Sequence, residues 1–199
     1  MKLIFFIKSS TIDINRYTIK DLTGSTGRLD VIARCILSAL ITEEGFEKDV
    51  QIWTFLDKYG TYIFNSESLN YEDFPKNELL LTDYIVKLLQ KDNSIVDKQA
   101  NPLNSVSFSN KNIFEALNDF KDLSYNIFIM SEEGENFSNK IKELKSKENL
   151  LFIMGDQSGD VLDSKELIKL NFPSLSLGTQ SYLASSVIRL IKLNLLNLI

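Results

Sequence analysis

In the second half of the chain three short runs, 126–130, 150–154 and 175–177, read as strands, and each stops at a loop that contains a glycine. Helical stretches lie between them. That alternation is the pattern of α/β construction around a largely parallel sheet. In such sheets ligands bind beyond the carboxyl ends of the strands. The loops 131–134, 155–159 and 178–181 occupy that position, and a glycine in each lets backbone approach a ligand closely.

The first half supplies the rest of the sheet. Residues 2–7 read as a buried strand of large apolar and aromatic residues. The segment 24–27 is a turn. A helix follows it, with Ser25 or Thr26 as its cap and Val31, Ile32, Cys35, Ile36 and Ala39 as its apolar face. Runs at 50–56 and 59–64 read as two strands of a hairpin hinged at Tyr59-Gly60-Thr61. Helical spacing covers 78–91 and 111–120. The polar stretch 92–110 between them reads as the long loop. Residues 131–148 are charged and partly helical, with Ile141 and Leu144 pointing inward. A short helix at 163–170, capped by Asp163 or Ser164, precedes the last strand, and a helix closes the chain. No internal repeat or low-complexity tract is present.

Composition excludes several kinds of chemistry. The chain has no histidine, which removes a histidine general base, a Ser-His-Asp triad and every histidine metal site. Its one cysteine, Cys35, lies on the apolar face of a helix and reads as packing rather than a nucleophile. No cysteine cluster exists to hold structural zinc. No metal is expected, and a reducing cytosol fits. The 199 residues suffice for one domain with a sizeable core. The N-terminal apolar run is too short for a signal peptide and is closed by Lys8. The run 183–199 carries Arg189, Lys192, Asn194 and Asn197 and is shorter than a membrane span, so it reads as a buried or interface helix. The expectation is a cytoplasmic protein with no membrane partner. Net charge is −5, yet residues 1–40 hold six basic residues against three acidic ones. One basic face in an acidic protein can still meet RNA.

No G-x-G-x-x-G fingerprint or P-loop is present, and Gly155-Asp156-Gln157-Ser158-Gly159 lacks the spacing for a pyrophosphate turn. Gly24-Ser25-Thr26-Gly27 before Arg28 is either an anion cradle at a helix start or, more commonly, plain capping. Asp30 suits a helix N-terminus without any further role, whereas Arg28 does not. Arg28 is therefore a candidate for another partner, a phosphate or a base. Asp156 is either a ligand contact or a helix cap. Trp53 and the scattered phenylalanines have core spacing. The lysines at 140, 142, 145 and 147 alternate with glutamates and read as a solvated face. Val187, Leu190, Ile191, Leu195 and Leu198 form an apolar stripe, buried within the domain or between subunits.

The stretch Lys20-Asp21-Leu22-Thr23-Gly24-Ser25-Thr26-Gly27-Arg28-Leu29-Asp30, continuing to Cys35, resembles the K-D-L-P-G-S-x-G-R-L-D-x-x-x-R-C segment of the archaeal tRNA pseudouridine-54 N1-methyltransferases. Phe152-Ile153-Met154-Gly155-Asp156 is similar to their F-I-I-G-D loop, and Leu175-Ser176-Leu177 with Ala184 to the loop before their terminal helix. Thr23 stands where the family has proline, Gly178-Thr179 where it has S-P, and Val187 where it has cysteine.

The resemblance implies one SPOUT-type methyltransferase domain over 1–199: a largely parallel sheet flanked by helices, with a C-terminal trefoil knot at about 126–199. It implies S-adenosyl-L-methionine as cofactor, tRNA as substrate and a homodimer. By position the methyl donor meets Met130, Gly155 and the loop Leu177, Gly178, Thr179, Gln180, Ser181 and Tyr182. The 24–30 motif faces the RNA base, within one subunit or across the dimer. Arg28 and Asp30 are the candidate catalytic residues. Arg28 stabilises an anionic base or grips a phosphate, and Asp30 orients Arg28 or accepts the proton. The rival readings are a methyltransferase of the same fold acting on another RNA position, such as a ribosomal pseudouridine, and a catalytically weakened RNA-binding or dimeric scaffold.

Overall fold

The structure is a computed structural model that describes residues 1–90, 101–155 and 161–196. The expectations for Asp156, the 156–159 part of its loop, Leu198 and the 92–100 part of the long loop fall outside the described residues.

A seven-stranded sheet runs through the molecule. Its strands are β1 (Lys2–Ser9), β2 (Val50–Leu56), β3 (Gly60–Asn65), β4 (Ser107–Ser109), β5 (Asn126–Asn136), β6 (Asn149–Met154) and β7 (Ser174–Ser176), in the order β4-β3-β2-β1-β6-β5-β7. The pairs β1–β2, β1–β6, β5–β6 and β5–β7 are parallel; β2–β3 and β3–β4 are antiparallel. The largely parallel sheet flanked by helices is as expected, and so is the 50–64 hairpin.

β1 has no polar alternation because it is the middle strand and buried on both faces. Leu3, Phe5 and Ile7 face a core that includes α2 (Leu29–Leu40), α3 (Glu78–Leu89) and α7 (Ala184–Leu195), together with Phe137 and Leu144 of α5 (Phe137–Lys145). Ile4 and Phe6 point the other way, into a core shared with α4 (Ile113–Asp122) and Leu167 of α6 (Lys165–Leu170). Phe6 and Trp53 pack at 5.5 Å between ring centroids, and Trp53 meets Phe120 edge-on at 5.2 Å, a core role as the spacing suggested.

Local signals decide where helices start. Asn112 and Glu115 form a reciprocal capping box at α4. Of the two candidates at 163–164, Ser164 caps α6 by accepting from Leu167 N–H. The turn before α2 holds a short helix, α1 (Leu22–Ser25), whose cap is Asp21. Thr26, not Ser25, serves α2: its buried Oγ1 accepts from Leu29 N–H at 3.1 Å.

The sheet departs from the expected pattern in two places. The polar stretch before α4 is not all loop, since β4 forms a short exposed edge strand within it. β5 also does not stop at Met130. Its polar continuation turns back onto β7, so that Leu175 is in register with Met130 and again with Glu135. Gly134 makes that turn possible, because a Cβ there would lie 2.6 Å from the Leu175 backbone.

The apolar stripe of α7 divides. Ile188, Ile191 and Leu195 are buried within the chain, while Val187 and Leu190 are half-buried. Lys192, expected as a polar interruption, is buried: its Nζ donates to Ser38 carbonyl oxygen at 3.0 Å and lies 3.5 Å from Glu47 Oε2. Burial lowers its pKa below the usual lysine value, and Glu47 opposes the shift.

Candidate functional site

The carboxyl ends of β1, β5, β6 and β7 come together at one edge of the sheet. Two adjoining cavities open there, of about 430 and 290 Å³. The larger lies among the loops that follow β5, β6 and β7, and its volume is within the usual range of small-ligand sites. Met130, Gly155, Leu177, Gly178, Gln180, Ser181 and Tyr182 all line it, so the segments 175–182 and Gly155 are neighbours. Thr179 is exposed and lies outside the lining. The smaller cavity is lined by Lys8 and Ser9 at the end of β1 and by Thr11, Arg28, Val31 and Ile32. Gly155, Ser181, Tyr182 and Ala184 belong to both, and so form the wall between them.

Backbone geometry shapes the larger cavity. Gly178 has φ +140°, open in practice to glycine alone. The Ser176 hydroxyl donates to Gly178 carbonyl oxygen at 2.8 Å and accepts from Gly178 N–H at 3.1 Å, pinning the turn.

The glycines of the 24–30 turn have a packing reason. A Cβ on Gly27 would stand 1.9 Å from Thr11 carbonyl oxygen, and one on Gly24 would meet the Asp21 carboxylate. Gly24 makes room for Asp21, the cap of its own short helix, and Gly27 lets the turn press against the segment after β1. There, Thr11 Oγ1 donates to Gly27 carbonyl oxygen at 2.8 Å. The next residue, Arg28, is in the left-handed region at φ +72°. That conformation is uncommon for a residue with a side chain.

Arg28 thereby reaches Asp30 although the two are only two positions apart. Nε donates to Asp30 Oδ1 at 3.0 Å and Nη2 to Oδ2 at 3.1 Å. Arg34, one helical turn on, donates to the same Oδ2 at 2.8 Å and lies 3.4 Å from Glu78 on α3. The Asp30 side chain is 2% exposed, that of Arg28 41%. Hydrogen bonding to Asp30 raises the Arg28 pKa still further above neutrality. Asp30 touches neither cavity, so the structure puts Arg28 alone of the pair on the cavity wall.

Several lining residues escaped sequence reading. Glu132, Glu133 and Asp163 line the larger cavity, and Lys8 lines the smaller, 2.8 Å from Asp57. Lys8 ends an apolar strand run, so the strand-end rule applied to β1 would have found it. Cys35 is fully buried, and burial pushes its thiol up to about 12, as suits packing. Among the described residues no group of three or more histidine, cysteine or carboxylate side chains is placed to hold a metal ion. No helix among them is long and apolar enough to cross a membrane.

Comparison with known proteins places this geometry. Residues 1–198 match the family described as "Putative SAM-dependent RNA methyltransferase". A tRNA (pseudouridine(54)-N(1))-methyltransferase of Methanococcoides burtonii is 30% identical over 174 residues, covering 85% of this chain and 82% of the relative. Proteins of the same name from Thermococcus onnurineus and Pyrococcus abyssi are 26% and 27% identical, over 86% and 96% of this chain and 85% and 96% of their own. The crystal structure of Archaeoglobus fulgidus Nep1 bound to S-adenosylhomocysteine superposes with a TM-score of 0.66 at 14% identity, over 99% of this chain and 98% of that one, a likeness of fold. With nearly its whole length inside the match, the chain belongs to the family of SAM-dependent RNA methyltransferases.

Proposed function

We propose that the chain is an S-adenosylmethionine-dependent methyltransferase that methylates N1 of pseudouridine at position 54 of the tRNA T-loop. The observation that carries this is the shared wall: a cavity formed by Gly155 and the 175–182 loop adjoins one that presents Arg28. A methyl transfer needs donor and acceptor side by side, and alignment supplies much of its rate.

The larger cavity fits the donor. Its size suits a nucleoside with a short side chain, Gly178 keeps backbone bare at its edge, and Glu132, Glu133 and Asp163 favour a cationic ligand. Met130, Gly155, Leu177, Gly178, Gln180, Ser181 and Tyr182 would hold S-adenosylmethionine, with Thr179 setting the loop. When bound, it supplies an electrophilic methyl group on sulfur.

The smaller cavity fits the acceptor. Pseudouridine is joined to ribose through carbon, so its N1 carries a proton that must leave before methylation. The resulting negative charge spreads toward the ring carbonyls. Arg28 stabilises it, being permanently charged and held in place. Asp30 acts in this reading as a positioning residue: its two oxygens accept from Arg28 and Arg34 and it does not line the cavity, which favours that role over the base. The proton passes to water at the half-open mouth.

The same reading includes one SPOUT domain over 1–199 with a trefoil knot at about 126–199. The double register of Leu175, with Met130 and again with Glu135, sets the loop 131–134 against the strand 174–176, an arrangement compatible with the knot. It also includes a homodimer that uses the half-buried side of α7, and a place in the cytoplasm. Calorimetric titration with S-adenosylmethionine, with competition by S-adenosylhomocysteine, tests the donor cavity. Transfer of labelled methyl to unmethylated tRNA tests the reaction. A chain that binds the donor and leaves tRNA unlabelled contradicts the substrate. A chain that binds neither is the scaffold of the rival reading.

A further inference from the structure

We propose that Tyr182 is the surface on which the target nucleobase stacks. The inference rests on the acceptor reading of the smaller cavity and adds a residue to it.

Among the described residues Tyr182 is the one aromatic side chain on either cavity, and it stands on the wall between them. It is 42% exposed, and the next residue, Leu183, is 56% exposed. Together they offer aromatic and apolar surface at the cavity mouth for a ligand to cover. The ring lies beside Gly178, where a Cβ would make ordinary contact with the Tyr182 hydroxyl and ring edge at 3.8 and 4.0 Å.

The opposite lining says what covers the ring. Arg28 and Lys8 are the charged residues among those that line the smaller cavity, and no carboxylate is among them. An aromatic face beside two cations, each already held by a carboxylate, suits a ligand that is planar and carries negative charge nearby. An unstacked base in an RNA loop, flanked by its phosphates, has those properties. Sequence-specific recognition of single-stranded RNA commonly combines an aromatic platform with arginine at the base edge.

The test measures binding of a T-arm stem-loop by fluorescence anisotropy, for the full chain and its Tyr182→Ala, Tyr182→Leu and Tyr182→Phe variants. Two arms are compared, one with pseudouridine at position 54 and one with an abasic nucleotide there. Loss of one stacked base weakens binding about tenfold. Tyr182→Ala and Tyr182→Leu then bind the pseudouridine arm about tenfold more weakly, Tyr182→Phe within about twofold, and all four proteins bind the abasic arm alike. Binding of both arms is measured without S-adenosylmethionine, so that a change in donor affinity, which Tyr182 also serves, does not enter the comparison. The proposal is overturned if Tyr182→Ala binds the pseudouridine arm normally or if it loses the same factor on both arms. A wild-type chain that binds the donor but neither arm overturns the acceptor reading itself, and this inference with it.

Discussion

Arg28 and Asp30 form a two-bonded ion pair, at 3.0 and 3.1 Å, across a single intervening residue. Helical backbone would carry two side chains so spaced to different faces. They meet because Arg28 sits at φ +72°, ahead of the helix that holds Asp30. The buried carboxylate thus fixes a half-exposed guanidinium on the wall of a cavity.

Asp30→Asn is expected to release Arg28 and Arg34 together. Both arginines have solvent access, so they rehydrate, and the stability loss is about 1–3 kcal/mol. Methylation falls more than tenfold while donor affinity holds. Unfolding curves and calorimetry on the same sample check both halves. An Asp30→Asn enzyme with unchanged turnover removes the positioning role.

Arg28→Gly separates function from folding. Glycine suits the left-handed backbone and recovers part of the lost ion pair. The variant should stay within about 1 kcal/mol of the parent, yet lose turnover by about 100-fold, the usual effect of deleting one charge-stabilising donor. Arg28→Lys should not restore the rate, because an ammonium cannot keep the two-bonded geometry. Single-turnover kinetics with saturating donor reads this directly.

Gly27→Ala meets both a positive φ and the Thr11 carbonyl oxygen at 1.9 Å. Destabilisation of about 2 kcal/mol or more is expected, a Tm lower by roughly 4–8 °C. Gly24→Ala meets only the end of the Asp21 side chain and should cost less. Equal Tm values for the two variants would refute the close backbone approach.

Lys192 carries a pH signature. Its pKa is lowered in the folded chain, chiefly by burial, so the unfolded chain binds the proton more tightly. The penalty is in full force below the folded value. It is relieved as pH rises from that value toward the ordinary lysine value of 10.5. The stability difference between the wild type and Lys192→Met should therefore shift in favour of the wild type as pH rises through that window. Urea unfolding of both at matched pH values gives the difference; a shift of opposite sign would contradict the buried ammonium.

Much of the fold could be read from residues. Apolar runs named β1, β2 and β6, and helical spacing named α2, α3, α4 and α7, because burial on a sheet or helix face imposes those periods. The turn-back of β5 was not legible. Residues 131–136 are polar, and they join the sheet only because Gly134 lets them lie against Leu175. Met130, Gly155 and the 177–182 loop were legible as strand-end positions and from family likeness. Lys8 and Glu132 were within reach of the same strand-end rule; the burial of Asp30 was not, since it depends on what the topology packs against the first turn of α2. Lys192 was legible as a polar break in an apolar helix but not as a buried group, because its partners, Ser38 and Glu47, are remote in sequence.

Methylation at N1 of pseudouridine 54 is tested most directly by nucleoside mass spectrometry of two tRNA transcripts after incubation with the protein and S-adenosylmethionine. One carries pseudouridine at position 54 and the other uridine, whose N1 is already bonded to ribose. The predicted result is one added methyl group at position 54 of the first transcript and none on the second. Equal methylation of both, or a methyl group placed elsewhere, would contradict the proposed reaction.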